Sequence, residues 1–210
     1  MRFIFLLSPI WLILAFSACG QSPIVSVDST EAGIPEVDTL AIYQRMNEKA
    51  AAIQTFLKKN PSYHQRHAIL IDMRQNSGRF RLFVYDLDSM KVVSRGLVAH
   101  GSGSETGYED SLTFSNTPNS NCTSLGRYKI GSAYTGNFGR SYKLHGLDPT
   151  NSKAFERYVV LHRYSCVPDE EQPYAICNSL GCPMVSENYF EELDKIIRSA
   201  PKPMILEIFY

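Results

Sequence analysis

A histidine and a cysteine in this chain have the types and setting of a base and a thiol nucleophile. His162 closes the apolar run Tyr158-Val159-Val160-Leu161, and Cys182 follows inside Ser179-Leu180-Gly181-Cys182-Pro183. A cysteine thiol with a pKa of about 8.5 is mostly protonated at neutral pH, so acyl transfer through sulfur needs a neighbour that takes its proton. Imidazole is suited to that task. Gly181 matters separately: lacking Cβ, it lets the backbone turn sharply and leaves amides to face a developing oxyanion. Such a pair alone is a weak signal, because most buried cysteines are inert, and the surrounding residues must raise it.

Other residues compete for the same chemistry. His100 and His145 each precede a glycine and could serve as base, but only His162 ends a buried strand ahead of the cysteine turn, so the other two read as loop or packing residues. Arg127, Arg140 and Arg157 could grip carboxylates bidentately, although such arginines are more often structural. Tyr134 and Tyr142 could line a groove or fill a sheet. His162, Cys166, Cys177 and Cys182 also make a conceivable zinc set, but the spacing is irregular, and no metal or organic cofactor is expected.

Charge narrows the function class. The 21 Lys+Arg against 21 Asp+Glu leave no net field for nucleic acid or for a polybasic membrane attachment. Residues 1–19 read as an export signal: Met1-Arg2, an apolar run to Phe16, then Ser17-Ala18-Cys19. That run is short of the roughly 20 residues of a spanning helix. A cysteine after two small residues resembles a bacterial lipobox, which would make Cys19 the lipidated mature N-terminus of a periplasmic, membrane-tethered monomer. Export permits disulfides. Cys166 and Cys177 bracket a polar loop with two prolines and are expected to bridge, which leaves Cys182 free and Cys122 a buried odd cysteine.

The elements that must position these groups follow from patterning. Residues 20–37 are small, polar and acidic and read as a tether. Residues 38–60 read as a helix packing on the domain, capped by Asp38, with Leu40, Tyr43, Met46, Ala50, Ile53 and Leu57 facing the core. Residues 67–74, 79–87 and 91–99 predict an antiparallel meander. The Gly, Ser, Asn and Tyr-rich residues 100–150 predict long loops between short strands. Residues 157–162 read as a buried strand, 187–200 as a helix with Phe190, Leu193, Ile196 and Ile197 on one face, and 204–210 as a closing strand.

Taken in order, several blocks of residues 67–210 resemble the YkuD-like L,D-transpeptidases, in the murein L,D-transpeptidase catalytic-domain branch. The blocks are His100-Gly101-Ser102-Gly103-Ser104, Phe114-Ser115-Asn116, Ser124-Leu125-Gly126-Arg127-Tyr128, the 136–146 segment, Asn151, Arg157, Val159 to His162, and Ser179 to Pro183. The resemblance implies a mainly β (α+β) fold, an antiparallel β-sandwich or barrel with an N-terminal and a C-terminal helix, and a catalytic domain over 61–210. It implies Cys182 as nucleophile, His162 as base, the Arg163 backbone carbonyl as its orienter, and the Gly181 and Cys182 amides as oxyanion donors. Ser179, Arg140, Tyr142 and His100 are the expected substrate contacts. The main branch of the family usually has histidine or another bulky residue before the glycine and asparagine or arginine soon after the cysteine, where this chain has Leu180 and Pro183-Met184. The implied reaction is attack on the diaminopimelate carbonyl of a peptidoglycan tetrapeptide stem, release of D-alanine, and resolution of the thioester by an amine or by water. A carboxypeptidase, or a catalytically silent wall-binding lipoprotein, is the alternative.

Overall fold

The computed structural model describes residues 39–108 and 111–210. The export signal, Cys19, the tether and the Asp38 cap lie outside the described residues. Helix α1 (Thr39–Lys59) buries Ile42, Met46, Ala50, Ile53 and Leu57. Leu40 and Tyr43, expected on that face, are exposed. Three-residue steps back from Met46 drift round the helix, whereas the four-residue step to Ile42 stays over the sheet. Lys58 and Lys59 occupy the last turn, where the helix dipole favours cations.

The expected meander is present as β1 (His67–Asp72), β2 (Leu82–Asp86) and β3 (Lys91–Gly96), paired antiparallel in sequence. The β2–β3 turn is closed by Asp86, whose Oδ1 accepts from the amides of Asp88 and Ser89 at 3.0 Å each. Residues 100–150 hold more structure than loops: β4 (Gly126–Gly136) and β5 (Gly139–Gly146) form a long hairpin. Its composition hid it, yet Tyr128 and Ile130 on one strand and Tyr142 and Leu144 on the other alternate inward to the core. The chain continues through β6 (Val160–Arg163), β7 (Met184–Val185), α2 (Glu187–Ser199) and β8 (Ile205–Phe209). The Ser186 hydroxyl caps α2 by accepting from the Tyr189 amide at 3.1 Å.

The fold is mainly β with one helix at each end, and the strand order is β3-β2-β1-β8-β4-β5-β6-β7. It is a mixed sheet and not purely antiparallel, since β8 inserts beside β1 in parallel and β7 runs parallel to β6. Alternation assigns the two faces. Ile69 and Ile71 join the core that holds Phe190 and Leu193 of α2, whereas Ala68 and Leu70 join the one under α1. The two sheet edges meet where Ala99, just past β3, bridges Met184 of β7, with Ala99 N–H donating to the Met184 carbonyl at 2.8 Å. That closure brings the 99–102 segment onto the turn that carries Cys182.

Candidate active site

Strand β6 presents its even-numbered amides to the edge on which β7 runs. Tyr164 N–H donates to the Val185 carbonyl at 3.0 Å and His162 N–H to the Pro183 carbonyl at 3.4 Å. At the next rung the acceptor is a sulfur: Val160 N–H points at Cys182 Sγ, 3.4 Å away. The thiol in turn reaches the Tyr158 carbonyl at 3.8 Å. Cys182 therefore stands at the open end of the β6–β7 ladder, on the strand that carries His162. Burial pushes its thiol pKa up, while the Val160 amide and the Arg157 charge act in the opposite direction.

His162 is buried, and its Nδ1 lies 3.0 Å from the Arg163 carbonyl. A carbonyl only accepts, so Nδ1 carries the proton and Nε2 is the basic nitrogen. Among the described residues Nε2 has no hydrogen-bond partner, and Sγ is directed to Val160 and Tyr158 and not to the ring. Burial lowers the His162 pKa, opposed by the Arg163 hydrogen bond. The ring of Phe138, at the β4–β5 turn, stacks on the imidazole with centroids 4.1 Å apart. Phe138 escaped the sequence reading, although an aromatic at the tip of a glycine-flanked turn is itself a signal.

Gly181 adopts φ +112°, and a Cβ there would lie 2.8 Å from the Cys122 carbonyl oxygen. The position accepts only glycine without strain. Its amide donates to Ser179 Oγ at 3.1 Å, and that hydroxyl donates to the Cys182 carbonyl at 2.7 Å. Ser179 thus holds the turn. The amide without a hydrogen-bond partner among the described residues is that of Cys182, not Gly181. The far wall is strapped by Arg157, whose guanidinium donates to the Ser115 carbonyl at 2.8 Å and the Cys122 carbonyl at 2.6 Å. Buried Cys122 directs its own thiol to the Gly103 carbonyl at 2.9 Å.

The remaining expected contacts are engaged elsewhere. Arg140 Nε and the Tyr142 hydroxyl both donate to Asp194 Oδ1, at 2.6 Å and 2.5 Å, and so tie β5 to α2. His100 is buried with both ring nitrogens committed: Nδ1 accepts from Arg81 Nη2 at 2.8 Å and Nε2 donates to Glu105 at 2.7 Å. A cavity of about 330 Å³ borders Arg81, His100 and Glu105, and its lining includes neither Cys182 nor His162. His145 stacks on Phe155. Arg127 pairs with Asp148 at 2.7 Å.

Cys166 and Cys177 are disulfide-bonded, which removes two sulfurs from the alternative zinc set. The loop they enclose is moored at several points. Asp169 accepts from the Ser186 hydroxyl and from Asn188 Nδ2, the latter at 2.6 Å, and Glu171 accepts from the Phe80 amide at 2.8 Å. The excursion between the His162 strand and the Cys182 turn is thereby tied down in its middle as well as closed by the bridge. Among the described residues no group of three His, Cys, Asp or Glu side chains is arranged to hold a metal ion. Among the same residues no helix is long and apolar enough to cross a membrane.

A family model described as the L,D-transpeptidase catalytic domain matches residues 39–203. No curated protein sequence matches the chain significantly. Among solved structures, an L,D-transpeptidase from Xylanimonas cellulosilytica is 17% identical with a TM-score of 0.42, over 69% of this chain and 60% of that one. The helical cell shape determining protein Pgp2 from Campylobacter jejuni is 10% identical with a TM-score of 0.45, over 70% and 48%. An L,D-transpeptidase from Stackebrandtia nassauensis is 13% identical with a TM-score of 0.40, over 69% and 56%. The chain spans 60% or less of the length of each of these three.

Proposed function

The chain belongs to the L,D-transpeptidase catalytic-domain family, and we propose that it remodels peptidoglycan by acyl transfer through Cys182. The observation that carries this reading is an imidazole on β6 with Nδ1 pinned to the Arg163 carbonyl and Nε2 left without a partner among the described residues, and a free thiol held against the same strand by the Val160 amide. Burial raises the thiol pKa and lowers that of the imidazole, so both are neutral at rest. The chemistry is then general-base attack rather than a preformed thiolate–imidazolium pair.

In the first half-reaction Cys182 turns from the Tyr158 carbonyl toward His162, and Nε2 takes the thiol proton as sulfur attacks the carbonyl of the L-centre of diaminopimelate. The tetrahedral oxyanion is met by the Cys182 amide. Collapse expels the amine of D-alanine, which receives its proton from the imidazolium, and leaves a thioester. In the second half-reaction the side-chain amine of another stem attacks the thioester and His162 removes the amine proton. The thiolate that leaves is then reprotonated. Water in place of the amine makes the product a trimmed tripeptide.

Residues 1–19 are read as the signal that exports the protein, with lipid on Cys19 and residues 20–37 as the tether to a bacterial membrane. Intact mass of the mature protein tests this, and an N-terminus other than a diacylglyceryl-modified Cys19 would remove the anchor. The activity is tested by incubating the purified protein with tetrapeptide muropeptides and reading products by mass. Crosslinked dimers are the expected result, and tripeptides alone would make it a carboxypeptidase. Neither product, together with no carbapenem adduct on Cys182, would leave a silent wall binder.

A further inference from the structure

Among the described residues, four other than glycine hold a positive φ: Met90 at 54°, Asn119 at 62°, Asn121 at 54° and Tyr158 at 57°. Asparagine tolerates this region through its short polar side chain. Met90 is partly buried and packs against the core under α1, so packing holds it there. Tyr158 has neither explanation, because its side chain is 84% exposed and its ring stacks on no residue among those described. The turn it ends has its amide donating to the Phe155 carbonyl at 3.1 Å and the Val159 amide to the Ala154 carbonyl at 2.9 Å. A left-handed residue closing such a turn is ordinarily glycine. Folding alone does not ask for an aromatic side chain here, and strain kept without packing to compensate it points to function.

The location says which function. The Tyr158 carbonyl lies 3.8 Å from Cys182 Sγ, and the amide of Val160, two residues on, holds the same sulfur. On the nucleophile's own turn, Leu180 is 75% exposed two residues before Cys182. Two solvent-exposed apolar residues therefore sit next to the nucleophile, Tyr158 through its own backbone carbonyl and Leu180 two positions away in the chain. A leucyl group and the body of an aromatic ring bury methyl and methylene surface, and neither offers a charge to a carboxylate.

We infer that Tyr158 and Leu180 form an apolar clamp beside the thiol that takes the aliphatic part of the stem peptide. This rests on the reading of the site as an acyltransferase acting on such stems. One to two buried methylenes correspond to roughly tenfold in affinity. The phenol oxygen has no part in it, so phenylalanine should replace tyrosine without loss.

The test measures binding of free tetrapeptide and of disaccharide-tetrapeptide by calorimetry to full-length mature protein carrying Cys182→Ala, alone and with Tyr158→Gly, Tyr158→Phe or Leu180→Ala added. Tyr158→Gly should weaken both ligands about tenfold while Tm stays equal or rises, because glycine adopts the left-handed conformation freely. Leu180→Ala should weaken both by a smaller factor and Tyr158→Phe should change neither. Unchanged binding in Tyr158→Gly would overturn the clamp. So would a loss confined to the disaccharide ligand, which would make the ring a sugar platform. A lowered Tm in Tyr158→Gly would make it a structural residue, and absence of tetrapeptide binding to the Cys182→Ala parent would equally sink it. Turnover of the tetrapeptide by the wild-type protein is scored separately: no turnover alongside Tyr158-dependent binding would remove the transfer reaction and leave the clamp.

Discussion

His162 and His100 are both buried, and burial lowers the pKa of both. At His100 Arg81 occupies one ring nitrogen and Glu105 the other, and the Arg81 charge adds to the lowering. At His162 one nitrogen is held by the Arg163 carbonyl, and the other has no partner among the described residues. Burial and a perturbed pKa are thus common to both, and neither identifies a base. A base needs one nitrogen fixed, so that the tautomer is set, and the other available to the reacting proton. His100 is built as a joint: its carbonyl accepts from Ser179 at 2.8 Å and its partner Glu105 accepts from Asn178 at 3.2 Å, so it braces the turn that carries Cys182.

The comparison can be broken most severely at the sulfur. Cys182→Ala should abolish turnover and carbapenem acylation, a loss on the order of 10⁴-fold or more. Retained product formation would end the nucleophile assignment. His162→Ala should lower kcat/KM by roughly 10²- to 10⁴-fold, well beyond any loss of stability from removing a buried ring, and full activity in that variant would make His162 another packing residue. Replacing Cys166 and Cys177 together by alanine opens the excursion between base and nucleophile and should reduce unfolding stability by about 3 kcal/mol in denaturant titration.

His100→Gln sharpens the contrast from the other side. It should cost about 1–3 kcal/mol of stability, because buried Arg81 loses a hydrogen-bond partner with the right geometry and Glu105 loses its hold on the ring. The acid limb of its kcat/KM profile should stay where the wild type has it. That limb is the smallest effect. Burial disfavours imidazolium, so His162 remains a neutral base to lower pH, and the midpoint should fall below the ordinary 6.5. A midpoint at or above 6.5 would show that His162 is not the group that titrates.

The nucleophile region and the disulfide loop also differ in how much of them could be read along the chain. The bridge between Cys166 and Cys177 was legible because the two bracket a short proline-containing loop in a chain that reads as exported. The moorings of that loop on Phe80, Ser186 and Asn188 were not, since they join residues far apart in sequence. The apolar stripe of α1 was legible as a period, but which residue began it depended on the angle at which the helix meets the sheet. The β4–β5 hairpin was hidden because most of its residues are only partly buried and carry the composition of a loop.

By itself the sequence determined residue chemistry and local geometry. It supplied one thiol beside a glycine, an imidazole ending an apolar run, helix and strand periods, and a net charge that leaves nucleic acid aside, because these depend on side-chain type and on spacings of a few residues. Only the tertiary structure decided that Ala99 meets Met184 and that Arg81 and Glu105 take both nitrogens of His100. It also decided that Gly181 packs on Cys122 and that Tyr158 turns left-handed beside the sulfur. The physical reason is that hydrogen-bond partners and packing contacts are fixed by sheet closure, which joins segments that no local spacing relates.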